Sequence, residues 1–363
     1  MERLVLVSGA AGLVLSMSSA LAEDRVVSVY NWSNYIDTQV LNDFEEETGI
    51  SVNYETYDSN EVLETKLLTG KTGYDVVVPS ATYLQRQIQA GVYQKLDKRK
   101  LPNLKHMDPL LQARVEVFDP GNEFSVNYMW GTSGYGVNED QVRSLNPDAP
   151  IGSWELLFNV EELAKVAECG VYMKDEPEEM FPAAMHYLGL SPNSDSPEDI
   201  RKAGVLLETI RPHIRKFHNS EFVSSLADGD ICLAYGWSGD ILQAKNRAVE
   251  VGKGTEVTFI LPNEGAQMWF DQIAIPADAE NLEEAYEFIN YLMRPEVIAR
   301  MSDYVFYANG NKDATGLVKE EVASNSNIYP TDEVKQRSYA ISVKPLLAQR
   351  LMNHAFTTVK SGH

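Results

Sequence analysis

The chain has 363 residues and carries 31 lysine and arginine residues against 53 aspartate and glutamate residues, a formal net charge of −22. Nucleic acids and anionic membranes are poor partners for so acidic a protein, because both carry dense negative charge. A cationic solute is the natural partner, although acidity also serves solubility.

The N-terminus has the features of a secretory signal peptide. An apolar run at residues 4–15 is too short to span a bilayer, and small residues lead to Ala-Leu-Ala at 20–22, the pattern of a cleavage site. We therefore expect residues 1–22 to be removed and the mature protein to be exported into an oxidising compartment.

The mature chain opens with strands that alternate with helices. Strands are predicted at Val26–Trp32, Ser51–Tyr57 and Tyr74–Pro79, and helices at about Thr38–Glu47 and Ser59–Leu68. The third strand is rich in β-branched residues, which is typical of a parallel strand covered on both faces. This alternation predicts a βαβ sheet.

Two later segments indicate that the chain crosses between two lobes. Trp130–Asn138 contains three glycines that would let a strand bend, and Val257–Pro262 would lead the chain back. A mature chain of about 340 residues is long enough for two separate cores. The predicted boundaries are 23–133 plus 260–305 for the first lobe and 134–259 plus 306–363 for the second.

The second half of the sequence also contains predicted helices and one buried strand. The last helix has apolar residues at i, i+3, i+4 and i+7 from Ala285, and Pro295 is predicted to end it. The other predicted elements are helices at about Val160–Ala167, Glu178–Leu188 and Pro197–Ile210 and a strand at Ile231–Tyr235.

Several enzyme motifs are nearly present but incomplete. Gly70–Thr72 resembles the end of a phosphate-binding loop, but Thr65 stands where its first glycine would be. Gly236–Gly239 lacks the residue between serine and second glycine that a nucleophile elbow requires. The six histidines form no metal-ligand pair. The sequence therefore predicts neither an enzyme nor a bound cofactor or metal; an exported amine-acting enzyme is the rival hypothesis.

An aromatic residue beside a hydroxyl or carboxylate recurs at predicted strand ends. A protonated amine is bound by this combination of ring faces and acidic groups. Each occurrence alone is more often core packing, and Asp240 could simply cap a helix starting at Ile241. Asp271 lies in a buried strand, where a carboxylate needs a partner. The segments are Trp32–Tyr35, Pro79-Ser80, Trp237–Asp240, Trp269–Asp271 and Phe306-Tyr307.

The chain contains two cysteines, Cys169 and Cys232. In an exported protein two cysteines most simply form one disulfide. The alternative is a pair of free, buried thiols.

Seven ordered segments resemble the periplasmic polyamine-binding proteins of ABC importers, especially the putrescine-binding branch. The resemblance covers nearly the whole mature chain, through to Val359–Gly362, and the family's paired cysteines match those of this chain. The segments are Tyr30–Ser33, Tyr57–Glu61, Tyr74–Ser80, Tyr128–Thr132, Phe217-His218, Gly236–Asp240 and Val305–Asn309.

The resemblance implies a two-lobed type II periplasmic binding protein of the α/β class, each lobe a mixed sheet flanked by helices, with the ligand in the interlobe cleft. It further implies a monomer that passes a small cationic amine to an inner-membrane permease. The implied site comprises aromatic residues Trp32, Tyr35, Trp237, Trp269 and Tyr307, hydroxyls of Ser33 and Ser80, and acids Glu179, Asp240 and Asp271.

Asn34 is the one departure from the family pattern at the implied site. Putrescine binders typically carry aspartate after the Trp-Ser pair, so this chain would have one carboxylate fewer for a ligand with two ammonium groups. A ligand with one amine replaced by a neutral or acidic group, such as an acylated diamine or γ-aminobutyrate, is therefore an alternative to putrescine. Because three matched acids remain, spermidine and agmatine are alternatives as well. The sequence also leaves open a sensor or adaptor role without transport.

Overall fold

The computed structural model describes residues 25–252 and 254–362. The predicted signal peptide at residues 1–22 lies outside this range. Among the described residues no helix has the length and apolar character needed to cross a membrane.

The strands form one mixed sheet in the order β2-β1-β3-β9-β4-β7-β5-β6, with β8 and β10 paired to β4 and β11 paired to β9. The strands are β1 Val26–Trp32, β2 Ser51–Tyr57, β3 Val76–Val77, β4 Ser125–Val137, β5 Val171–Met173, β6 Lys216–Phe217, β7 Leu233–Trp237, β8 Thr258–Ile260, β9 Gln267–Ala274, β10 Ala308–Asn309 and β11 Tyr339–Ala340.

Helices connect these strands and account for most of the remaining regular structure. They are α1 Thr38–Thr48, α2 Asn60–Thr69, α3 Ala81–Gln89, α4 Pro109–Val115, α5 Glu139–Leu145, α6 Glu155–Phe158, α7 Val160–Val166, α8 Pro177–Tyr187, α9 Pro197–Ile210, α10 Phe222–Asp228, α11 Ser238–Val251, α12 Leu282–Leu292, α13 Pro295–Val305, α14 Glu320–Ala323, α15 Asp332–Arg337 and α16 Leu346–Ser361.

Local sequence signals explain where the first helix begins and ends. The Asp37 side chain accepts a hydrogen bond from the backbone N–H of Gln39 at 3.0 Å and so caps α1. Gly49 ends the helix with φ 69°, and its N–H donates to the carbonyl of Glu45. The predicted βαβ arrangement is confirmed, since β1 lies parallel to both β2 and β3.

Strand β4 joins the two halves of the sheet, and all of its residues are buried. Its beginning pairs antiparallel with β9, and its end, from Ser133, pairs with β7 and β8. We define the first half of the sheet as β1, β2, β3, β9, β10 and β11, and the second half as β5, β6, β7 and β8. A bulge between Asn127 and Trp130 interrupts the first pairing.

The lobe boundaries remain a prediction. The segment 306–363 is predicted to belong to the second lobe, but Ala308 and Asn309 pair with Trp130 and Met129 in the first part of β4. We therefore propose that the residues of β10 belong to the first lobe.

Two strand positions and one helix differ from the sequence-based prediction. The strand predicted at Tyr74–Pro79 is limited to Val76–Val77. The predicted helix ends before Pro295, at Leu292, but Pro295 also begins α13, which was not predicted. Proline suits the first turn of a helix because the N–H it lacks would have no intrahelical partner there. The buried strand predicted at 231–235 lies two residues later, at Leu233–Trp237.

A disulfide links Cys169 to Cys232, as predicted, with the Cα atoms 5.5 Å apart. The two residues are separated by 63 positions, and Cys232 directly precedes β7. A cross-link over so long a loop stabilises the fold mainly by restricting the unfolded chain.

We expect the double substitution Cys169→Ala and Cys232→Ala to lower the free energy of unfolding by about 2–4 kcal/mol, because loop closure is lost from the unfolded state. Denaturant titration followed by circular dichroism measures this. Wild-type protein treated with reductant should approach the stability of the variant. Equal stability of oxidised wild type and variant would contradict a stabilising role for the bond.

Candidate functional site

A cavity of about 900 Å³, including open space at its mouth, lies between the two halves of the sheet. Its walls include residues that follow the parallel strands β1, β2 and β3 on one side and β5, β6 and β7 on the other. The carboxyl ends of parallel strands are where open α/β sheets bind their ligands. The topology therefore explains why residues distant in sequence meet here.

Most of the residues singled out from the sequence line this cavity. The exception is Asn34, which is exposed, has a left-handed backbone (φ 57°) and lies outside it, beside a shallower surface depression. The residues that the fold brings together are Trp32, Ser33, Tyr35, Ser80, Glu179, Trp237, Asp240, Trp269, Asp271 and Tyr307.

The aromatic rings of the cavity form two groups of contacting side chains. Trp32 contacts Trp237 edge-on, with ring centroids 5.6 Å apart, and this pair defines what we call the Trp237 end. Tyr307 contacts Tyr35 at 5.4 Å and Trp269 at 4.9 Å, which defines the Tyr307 end. The ring faces give each part of the cavity a surface that attracts cations.

Backbone contacts and two glycines hold these rings in place. The indole N–H of Trp32, the last residue of β1, donates to the carbonyl of Val78 at 2.9 Å. A Cβ on Gly131 would lie 2.6 Å from the Trp269 ring, and one on Gly239 would lie 2.5 Å from the Tyr307 ring. Glycine at both positions therefore allows the rings to approach the backbone.

Two carboxylates lie at the Tyr307 end. Asp271, in β9, accepts hydrogen bonds from the hydroxyls of Tyr35 at 2.8 Å and Ser80 at 2.6 Å. Asp240, in the first turn of α11, accepts one from the Tyr307 hydroxyl at 2.9 Å. The sequence left open that Asp240 caps a helix starting at Ile241. That alternative is wrong, because α11 begins at Ser238 and contains Asp240.

Burial raises the pKa of both aspartates. Hydrogen bonds partly oppose the shift at Asp271, and at Asp240 the charge of Lys174 opposes it first, followed by the hydrogen bond from Tyr307. The pKa of Asp271 is raised to about 7 and that of Asp240 to about 6. The cause is loss of hydration, which disfavours the charged form. A cation in the cavity would compensate for that loss and favour the ionised carboxylates.

Glu179 accepts hydrogen bonds from four side chains and so lies in a fully formed network. One of its donors is the indole N–H of Trp237, at 3.0 Å, so the acid also fixes the orientation of that ring. The other donors are Ser133 and Tyr235 at 2.9 Å and Gln267 at 3.2 Å.

Direct contacts link the two sides of the cavity, which we also call the cleft. Arg86, in α3, forms a salt bridge with Glu178, in α8, at 3.0 Å and another with Glu64 at 2.7 Å. The side-chain amide of Asn219 donates to the carbonyl of Asp58 at 3.3 Å. The structure is therefore that of a cleft with its sides in contact.

The sequence analysis missed several residues that line the cavity, including Tyr57, Asp58, Glu176 and Glu178. Asp58, exposed at the mouth, accepts a hydrogen bond from Ser33 at 2.6 Å. The signal that could have found it is its place after β2, because β2 runs parallel to β1 and ends beside it. Among the described residues no cluster of histidine, cysteine and acidic side chains could hold a metal ion.

The chain matches a protein-family model described as bacterial extracellular solute-binding protein over residues 39–330. It is 50% identical to the putrescine-binding periplasmic protein SpuD of Pseudomonas aeruginosa, covering 97% of this chain and 96% of the relative. It is 49% identical to the putrescine-binding periplasmic protein PotF of Escherichia coli, covering 98% and 97%.

A solved structure shows the same fold. The spermidine/putrescine ABC transporter substrate-binding protein PotD of Streptococcus pneumoniae aligns with a TM-score of 0.74 at 28% identity, covering 93% of this chain and 99% of that one. The predicted type II periplasmic binding protein fold is therefore confirmed.

We expect Asp271 to make the stability of the ligand-free protein fall as the pH rises from about 4 to about 7. Over that range the folded state keeps a proton on Asp271 that the unfolded chain has released, because the folded pKa is raised to about 7. Asp271→Asn should remove this decrease in the free energy of unfolding, which amounts to at most about 4 kcal/mol. Denaturant titrations of both proteins from pH 4 to 8 measure the difference.

The matched control is Glu208→Gln, which changes an exposed carboxylate of α9. Its pH–stability curve should parallel that of wild type. Parallel curves for Asp271→Asn and wild type would contradict the raised pKa.

Proposed function

The chain belongs to the family of bacterial extracellular solute-binding proteins, and we propose that it captures a polyamine, putrescine or a related diamine, in the periplasm and delivers it to the permease of an ABC importer. The observation that carries this proposal is the pairing of buried acids with ring faces at the Tyr307 end. Within the described part of the chain, no lysine or arginine is among the groups that shift the pKa of Asp271, whereas Asp240 has Lys174 as a neighbouring cation. A ligand ammonium would supply the positive charge that Asp271 lacks.

The acid–base properties of the two partners fit this proposal. Aliphatic amines have pKa values near 10 and remain charged at neutral pH. Asp271, with a pKa raised to about 7, is partly protonated in the empty cavity and would ionise when a cation binds. Binding should therefore release protons at neutral pH.

The interactions available are sufficient for useful affinity. Cation–π contacts contribute about 0.5–2 kcal/mol each, and hydrogen bonds to charged groups about 1.5–3 kcal/mol. A few of each would reach micromolar affinity, about −8 kcal/mol, after the entropy cost of association.

The names of the relatives support putrescine ahead of the alternatives. Spermidine, agmatine and acylated diamines keep an ammonium and so remain in competition. γ-Aminobutyrate would bring a carboxylate into a cavity whose walls already carry several acids, among them Glu176, Glu178 and Glu179. We further propose that the protein is a monomer, binds no nucleic acid and is not an enzyme.

Asp271→Ala and Trp237→Ala should each weaken putrescine binding at least tenfold, because one removes a carboxylate and the other a ring face and its contact with Glu179. Isothermal titration calorimetry at neutral pH measures the dissociation constants. Glu208→Ala, at an exposed site, is the control and should bind as wild type does. Failure of the wild-type protein to bind putrescine, spermidine or agmatine would disprove the proposed function.

Asn34→Asp and Asp58→Asn should differ in their effects on putrescine affinity. Asn34 is exposed outside the cavity, so a new carboxylate there should change the dissociation constant less than twofold at physiological salt, where screening is strong. Asp58 lines the mouth, and its loss should weaken binding about threefold. A large gain for Asn34→Asp would show that this position meets the ligand.

A further inference from the structure

Lys174 is a buried lysine for which the proposed diamine binding has no role. It follows β5, and its exposed fraction is 0%. Its ammonium donates to the backbone carbonyl of Asn219 at 2.9 Å and lies 2.9 Å from the centroid of the Trp237 ring. The Phe222 ring is 5.2 Å away. A lysine so fully removed from water is rare and calls for an explanation.

We infer that the ammonium of Lys174 lies on the face of the Trp237 ring that is turned away from the cavity. Trp237 lines the cavity and is partly exposed to it, whereas Lys174 is completely buried and does not line it. One face of the ring is thus already covered by a cation that belongs to the protein. A ligand ammonium at the Trp237 end would lie against the opposite face.

Several acids face Lys174 from the surrounding elements. Burial lowers the pKa of Lys174 to about 8, and the neighbouring acids oppose that shift. The ammonium is therefore largely charged at pH 7 and largely neutral at pH 9. The acids are Glu176 and Glu179 near the start of α8, Asp240 in α11 and Asp58 after β2.

We propose that Lys174 is a specificity-determining residue that limits how much positive charge a ligand can carry at the Trp237 end. This inference rests on the proposed function and deepens it. Two cations on opposite faces of one ring repel each other and compete for the same ring quadrupole and the same acids. The cavity then accepts one ammonium fully, at the Tyr307 end, and a second only at reduced affinity.

The ligand class that follows is an amine of low charge. A diamine, or an amine whose second end is neutral, should bind in preference to a triamine such as spermidine, because each further ammonium is brought closer to Lys174. Four acids surround one lysine, so this region still attracts a cation, and the effect of Lys174 is to lower that attraction for each further ammonium.

Two ligands of equal length isolate the effect of the second ammonium. Putrescine carries two ammonium groups, and 4-aminobutan-1-ol has a hydroxyl in place of one of them. The ratio of their dissociation constants, measured by calorimetry at pH 7, gives the preference for the second charge. Lys174→Met should raise that preference for putrescine about tenfold, whereas Lys174→Arg, which keeps the charge, should leave it near the wild-type value.

The pH dependence of the same ratio gives a readout that a purely structural role of Lys174 would not change. In the wild-type protein the preference for putrescine should rise about threefold from pH 7 to pH 8.5 as Lys174 loses its proton. Lys174→Arg retains Asp240 and Asp271 and so controls for their titration. The ratio should rise less in Lys174→Arg than in the wild-type protein, and an equal rise in both would assign it to the surrounding acids and overturn the inference.

The outcomes separate this inference from the proposed function. If the wild-type protein binds neither ligand, both fail. If it binds both with a ratio that is independent of pH, the inference alone fails. Melting curves establish whether the variants fold. If Lys174→Met does not fold, the pH dependence of the wild-type ratio tests the inference by itself.

Discussion

The carboxylate of Glu179 is the contact on which the geometry of the site depends. Its four donors come from β4, β7 and β9, so a single buried acid joins the crossing strand to its neighbours on both sides and to the start of α8. Burying a charge is costly unless hydrogen bonds satisfy it, and here they do. Because one donor is Trp237, the same network fixes an aromatic wall of the cavity before any ligand arrives.

Much of the site was predictable because parallel strands bring their carboxyl ends to one edge. Trp32 and Trp237 are the last residues of β1 and β7. Asp271 could be identified because it lies in an apolar strand, where a carboxylate needs a partner. Asn34 could not be placed in the same way. A positive φ turns the chain at that residue, and sequence does not reveal this for a residue other than glycine. Lys174 was equally hidden, because its burial is decided by tertiary packing.

The fold was predictable where elements are long and bounded by clear signals. Helix α1 starts after Asp37 and stops at Gly49, and β1 has the bounds predicted for it, Val26–Trp32. The short strands β6 and β10 could not be found, because two residues show no periodicity and such a strand forms only through pairing with its neighbour. Helix α13 was not predicted because a proline after a helical pattern indicates a stop, although proline also suits the first turn of a following helix.

The salt bridge between Arg86 and Glu178 has a kinetic consequence. It links α3 to α8, on opposite sides of the cavity. Moving these helices apart breaks the bridge, so the pair adds about 0–1 kcal/mol to the free energy of widening the cleft. The narrow form of the cleft is favoured by the same amount, and any solute movement that needs a wider cleft is slowed accordingly.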